Sequence, residues 1–160
     1  MMTNKIDITL DINAQQYEVS VEPRQTLVDV IRQDCGLSGT HVGCEQGVCG
    51  SCTIIIDGVA IRSCLMFAVQ AQGKEIKTIE GMAKDGHLHP IQRAFTENHA
   101  LQCGFCTPGF IMLIQAYLDE HAAPTDDEIV ELLSSNLCRC TGYQNIIKAV
   151  KQLVRQTSEK

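Results

Sequence analysis

Nine of the 160 residues are cysteine, and eight of the nine fall into two sets of four. The first set is Cys44, Cys49, Cys52 and Cys64, with four, two and eleven residues between successive members; the second is Cys103, Cys106, Cys138 and Cys140, with two, thirty-one and one. Four thiolates are what a 2Fe-2S cluster takes, and also what a structural zinc ion takes. For the first set the spacing separates the two. Cys44 to Cys52 reads C-x4-C-x2-C, a spacing that holds 2Fe-2S clusters, and Cys64 follows alone, whereas a zinc site normally answers its first knuckle with a second. Gly36, Gly39, Gly43, Gly47 and Gly50 crowd the same stretch. The loop can therefore bend tightly and aim backbone N–H groups at sulfur, where they stabilise a negatively charged cluster. For the second set, spacing leaves both readings open: a C-x2-C knuckle ahead of a helix and a C-x-C between two others also suit zinc in a helical bundle. Helix N-termini beside these cysteines favour thiolate in either case.

Two kinds of element must position these thiols. Up to about residue 80 the pattern is that of strands: Ile6, Ile8, Leu10 and Ile12 alternate with polar residues, as do Tyr17, Val19 and Val21, and the polar stretch between them predicts a hairpin. Thr26 can cap a short helix carrying Leu27, Val30 and Ile31, which stops near Gly36. Thr53 to Ile56 and Val59 to Ser63 flank Asp57-Gly58, a second hairpin, and Lys74 to Ile79 alternates once more. Beyond that the pattern is helical. Pro90 opens one helix, Thr107-Pro108 reads as a cap and first turn for Gly109 to Glu120, and Thr125 with Glu128 forms a capping box for Ile129 to Ser135. Ile146, Ile147, Val150 and Val154 stripe a last helix. Strands followed by helices predict an α+β protein or two small domains, with a boundary that divides the chain into residues 1–79 and 80–160.

Composition removes several functions. Thirteen basic against nineteen acidic residues, with no basic cluster, argue against nucleic acid as a partner. No apolar run approaches the roughly 18 residues of a membrane span, and the first eleven residues lack the layout of an export signal. The expectation is a cytoplasmic protein, in which cysteines serve metal or redox chemistry more readily than disulfides. There is no glycine-rich dinucleotide fingerprint and too little length for a substrate-oxidising cofactor domain.

Three segments carry a resemblance: Gly43 to Thr53, Gln102 to Gly109, and Asn136 to Tyr143. In this order and at these separations the chain resembles the small iron-sulfur subunit of the xanthine oxidase, or molybdenum hydroxylase, family along nearly its whole length. The resemblance implies a ferredoxin-like β-grasp domain followed by a four-helix bundle, each holding one 2Fe-2S cluster. It implies that Cys103, Cys106, Cys138 and Cys140 hold the cluster near the molybdopterin of a large partner subunit, and that Cys44, Cys49, Cys52 and Cys64 hold the more distant one. Gln102 would hydrogen-bond the pterin, and Cys140 would sit beside its amino group. Electrons would leave towards FAD in another subunit, or another acceptor, with the cofactors carrying them and the protein setting distance and solvent access.

Blander readings stand beside these. Cys35, the ninth cysteine, reads as a small packing residue. The five histidines have no ligand spacing, although His41 lies close enough to Cys44 to be weighed as a ligand. Arg139 could tune a cluster or pair with an acid, and Phe105 could line the pterin approach or pack at an interface. A free-standing two-cluster carrier and a zinc-stabilised interaction module are the alternatives to a complex subunit. Co-purification with a large molybdenum-containing chain separates the carrier from the subunit, and metal analysis tests the zinc module: the purified protein should hold about four iron and four sulfide per chain and give two 2Fe-2S signals on reduction. Zinc in their place, or a single cluster, would sink the two-cluster assignment.

Overall fold

A computed structural model of the chain describes residues 4–158, with side chains through residue 156. The alternation near the N-terminus folds as expected: β1 (Ile6–Ile12) pairs antiparallel with β2 (Gln15–Val21), Ile6 opposite Val21 and Ile12 opposite Gln15. Asn13 and Ala14 turn the hairpin with φ of 56° and 61°, the left-handed pair that matches strand twist in a two-residue loop. The Asn13 side chain is also tied down at a distance, donating to the Thr78 hydroxyl and accepting from the Thr78 N–H, each at 2.9 Å. β3 (Thr53–Ile56) and β4 (Val59–Arg62) form the second hairpin, and β5 (Glu75–Lys77) completes a sheet of order β2-β1-β5-β3-β4. β1 and β5 run parallel; the other pairs are antiparallel.

Three local expectations need correction. The helix after Thr26 is α1 (Leu27–Asp29) continued by a π-helical turn, Val30–Asp34, so the segment is helical but wider than a plain α-helix. Thr26 does cap it, accepting from the Asp29 N–H. The strand expected over Lys74 to Ile79 is shorter, because Ile79–Gly81 winds into a 3-10 turn. Thr107 is not a cap: α3 (Thr107–Glu120) begins at that residue, and Cys106 before it already has helical angles of −83° and −13° and offers no side-chain cap. The preceding turn, closed by the Thr107 N–H on the Gly104 carbonyl at 3.2 Å, leads straight into the helix.

The other helices are α2 (Pro90–Glu97), α4 (Asp126–Ser134) and α5 (Gln144–Ser158). The Thr125–Glu128 capping box forms, with the Thr125 N–H donating to the Glu128 carboxylate at 2.7 Å and the Glu128 N–H donating back to the hydroxyl at 3.3 Å. α3 is buried nearly all round, through Gly109 to Ile114 and Ala116, because it packs on α2, α4, β3 and β4 together.

Two hydrophobic cores result, and β3 is the wall between them. Ile54 and Ile56 point into the core built by β1, α1 and β5, whereas Ile55 points into the core of the helices beside Phe95, Phe110 and Ile114. A strand covered on both faces reads as a continuous apolar run, which is what Ile54-Ile55-Ile56 is. The halves are therefore packed against one another through a shared strand. Among the described residues no helix is long and apolar enough to cross a membrane. Truncating Ile55 to Ala should cost about 2–5 kcal/mol in chemical denaturation, whereas Val59→Ala, on the exposed end of β4, should change stability by less than about 0.5 kcal/mol. Equal effects would contradict the shared wall.

Candidate metal centres

The first cysteine set sits on the loop between the π turn and β3, with Cys64 supplied by the 3-10 turn that follows β4. Cys52 and Cys64 are buried together beneath Val28 of α1, and Cys44 and Cys49 are half-buried outside them. The Cys49 N–H points at the Cys44 sulfur at 3.4 Å. With the N–H of Gln46, this holds the Cys44 pKa down to about 7, against the opposing effect of burial. Burial and then the neighbouring Cys52 thiol push Cys64 up to about 11.

The second set joins the start of α3 to the linker between α4 and α5. Cys103 and Cys140 are exposed with sulfurs 3.5 Å apart, while Cys106 and Cys138 are half-buried beside each other. Burial, and then the Cys138 thiol, push Cys106 up to about 12. Burial works most strongly against ionisation of Cys138, but hydrogen bonds from the Thr141 hydroxyl and N–H, the Cys140 N–H and the Cys106 thiol together lower its pKa. The two Thr141 donors lie 3.1 and 3.4 Å from its sulfur.

Both centres thus present thiols as pairs: Cys44 with Cys49, Cys52 with Cys64, Cys103 with Cys140, and Cys106 with Cys138. Among the described residues no group of three or more His, Cys, Asp or Glu side chains is gathered for a single metal ion. Zinc needs four thiolates about one point, whereas a two-iron centre takes two thiolates on each iron, so the donor sets fit 2Fe-2S better than zinc. Cys64, Cys106 and Cys140, each held up by a neighbouring thiol, call for positive charge beside them, which a bound metal centre supplies.

The two loops touch through backbone. The Leu137 N–H donates to the Cys49 carbonyl at 2.9 Å. The Gly50 carbonyl accepts from the Thr53 hydroxyl at 2.6 Å and from the Asn136 amide at 3.3 Å. Gly50 has φ +74° with Asn136 packed on its α-carbon, and Gly109 of α3 lies so close that a Cβ there would overlap the Gly50 carbonyl oxygen. Arg62 donates to the Thr53 hydroxyl and, at 2.9 Å, to the Ser135 carbonyl, bracing the same junction. His41 meets Phe105: its Nδ1 lies 2.7 Å from the Phe105 carbonyl and its ring stacks on Phe105 at 4.8 Å. From the sequence His41 reads as a loop residue and, by its nearness to Cys44, as a ligand to check; the junction contacts of Asn136 and Arg62 have no signal there, since their partners lie 86 and 73 residues away in the chain.

Of the remaining candidates, Cys35 packs against the N-terminal core, and burial pushes its thiol up to about 11. Gln102 and Arg139 are exposed, beside the exposed pair Cys103 and Cys140. Leu101, Phe105 and Leu137 are exposed apolar side chains close by in the chain.

Comparison with known proteins agrees with this arrangement. Residues 10–78 match the family model for the 2Fe-2S iron-sulfur cluster binding domain, and residues 78–151 match that for the 2Fe-2S binding domain. The chain is 48% identical to the nicotine 6-hydroxylase small subunit of Paenarthrobacter nicotinovorans, across 99% of this chain and 95% of that one. It is 55% identical to the caffeine dehydrogenase subunit gamma of Pseudomonas sp. (strain CBB1), across 91% and 89%. The chain belongs to the small iron-sulfur subunits of the molybdenum hydroxylases. A solved structure of quinoline 2-oxidoreductase from Pseudomonas putida 86 superposes on this small subunit with a TM-score of 0.92, at 47% identity and over 97% of each chain. As an iron-sulfur subunit it is an electron-transfer component of an oxidoreductase complex.

The close approach of the loops makes Gly109 a sensitive position. Gly109→Ala should destabilise this small subunit by about 1–3 kcal/mol, since the obstructing atom is backbone and cannot rotate away. Thermal unfolding monitored by the visible absorption of the iron centres would check it, and an unchanged midpoint would mean the junction is loose.

Proposed function

We propose that this subunit passes electrons from the molybdenum site of a larger catalytic chain, through two 2Fe-2S clusters, towards FAD or another acceptor. The observation that carries the proposal is the graded exposure of the thiol pairs. Cys103 and Cys140 are exposed and Cys106 and Cys138 half-buried, whereas in the other half Cys52 and Cys64 are buried and Cys44 and Cys49 half-buried. Residues next to the inner pair make the contacts with the other loop, Phe105 to His41 and Leu137 to Cys49. When bound, each cluster supplies a one-electron carrier. The chain's own part is to hold the clusters at a set separation, to stabilise sulfur charge with the N–H groups around Cys44 and Cys138, and to keep water from Cys52 and Cys64.

On this reading Cys103, Cys106, Cys138 and Cys140 are the ligands of the cluster nearer the pterin, and Cys44, Cys49, Cys52 and Cys64 those of the farther one. Gln102 hydrogen-bonds the pterin of the partner, and Cys140 lies beside the pterin amino group. Residues 1–79 form a ferredoxin-like β-grasp domain, a reading supported by the sheet order with β1 and β5 parallel. Residues 80–160 form a four-helix-bundle domain, a reading supported by the packing of α2 with α3 and α5 and of α4 with α3 and α5. The FAD site lies in a separate subunit, and the complex works in the cytoplasm. The substrate is chosen by the large chain. The similar proteins described above are named for nicotine, caffeine and quinoline, so N-heteroaromatic compounds head the substrate screen.

A free-standing carrier would carry polar side chains next to Cys103 and Cys140, but their neighbours in the chain Leu101, Phe105 and Leu137 are exposed apolar side chains, a pattern that marks a protein interface. Expressed with its neighbouring chains, the subunit should co-purify with a large molybdenum-containing protein. Leu137→Glu should weaken that association by about tenfold or more while leaving iron content unchanged. A subunit that stays monomeric beside its partner, or a variant that assembles as tightly as the parent, would defeat the reading.

A further inference from the structure

Around Cys138 the side chains form a closed set of hydrogen bonds that metal binding alone does not require. The Cys138 N–H donates to the Tyr143 hydroxyl at 2.9 Å, and that hydroxyl donates to the Asn136 carbonyl at 3.1 Å. The Thr141 hydroxyl donates to the Cys138 sulfur and accepts from the Tyr143 N–H at 3.2 Å. Tyr143 is held at φ +66°, a left-handed conformation that a bulky residue keeps only where its surroundings impose it. Its ring meets the fully buried Phe110 edge-on, with centroids 6.3 Å apart. The hydroxyl is thus presented from a fixed base to the bend formed by Asn136, Leu137 and Cys138. That bend is also the one that reaches across to the other thiol loop. Its Leu137 N–H meets the Cys49 carbonyl, and its Asn136 side chain, 1% exposed, lies on Gly50.

We propose that Tyr143 is a positioning residue whose hydroxyl clamps the Asn136–Cys138 bend against Cys49 and Gly50, and so sets the gap between the two thiol sets. This rests on the two-cluster reading above. The hydroxyl suits the task because it accepts from one end of the bend and donates to the other, which is how a single side chain fixes the curvature of three residues. Phenylalanine would fill the same space against Phe110 but would leave the Cys138 N–H without its acceptor and the Asn136 carbonyl without its donor.

The test compares the iron-loaded parent with Tyr143→Phe, both fully reduced. Magnetic coupling between two reduced clusters falls steeply with separation, so low-temperature electron paramagnetic resonance reads the gap directly. The expected result is full iron content and two signals in both proteins, with altered line splitting in the variant. The midpoint potential of the cluster at Cys103, Cys106, Cys138 and Cys140 should move while the other stays. Amide hydrogen exchange in a peptide spanning residues 136–138 should quicken by about tenfold, the loss expected for one hydrogen bond. Unchanged splitting with unchanged exchange would overturn the proposal. So would a variant that loses both clusters and its helical circular dichroism, since the hydroxyl would then be a folding group. Absence of two iron-sulfur signals in the parent would overturn the two-cluster reading itself, an outcome visible before the variant is made.

Discussion

The carbonyl of Gly50 is the point on which the rest of the molecule depends. It accepts from the Thr53 hydroxyl and the Asn136 amide, and the bare α-carbon of Gly109 lies against it. Two loops rich in sulfur, each negatively charged when it holds its centre, repel one another at close range unless their backbones are fastened and their charge is spread over donors. Fastening through backbone demands residues without side chains at the contact, which places glycine at 50 and 109. It also demands that α3 cross the sheet at this spot, and the burial of α3 on nearly every side follows from that crossing.

The junction ties packing to chemistry. β3 leaves the first thiol loop and at once becomes the wall between two cores, so movement in either core is felt at Cys49 and Cys52 within a few residues. Interiors packed to crystal density transmit such displacements instead of absorbing them. At the opposite end of the second set, Cys103 and Cys140 remain open to solvent among exposed apolar side chains. One thiol set thus holds a buried pair, Cys52 with Cys64, beside a half-buried one, and the other holds an exposed pair, Cys103 with Cys140.

The sequence made some of this legible for clear reasons. Residue type and short-range spacing set out the C-x4-C-x2-C run and the two later knuckles as groups of thiols, and they made the hairpin at Asp57-Gly58 and the capping box at Thr125 and Glu128 legible as well. Other features were not legible. The turn Val30–Asp34 opens to a π-helix for reasons no propensity encodes, and Cys106 rather than Thr107 occupies the cap because the preceding turn already winds helically. His41 reads from the sequence as a loop residue near Cys44, and its stacking partner Phe105, 64 residues on, has no signal there. The run Ile54-Ile55-Ile56 has the continuous apolar pattern of a strand covered on both faces, but which elements cover each face is decided only in the fold.

By itself the sequence determined how many thiols there are, how they are spaced and on what kinds of element they sit, because those properties are carried by local residue identity and by periods of two and of three to four residues. Tertiary structure alone decided how the quartets divide into pairs, which pair is exposed, and how the two loops meet through Cys49, Gly50, Asn136 and Leu137. Those decisions join residues as many as 86 positions apart. Such pairings are set by the packing of α3 on β3, a relation between elements that no stretch of sequence contains.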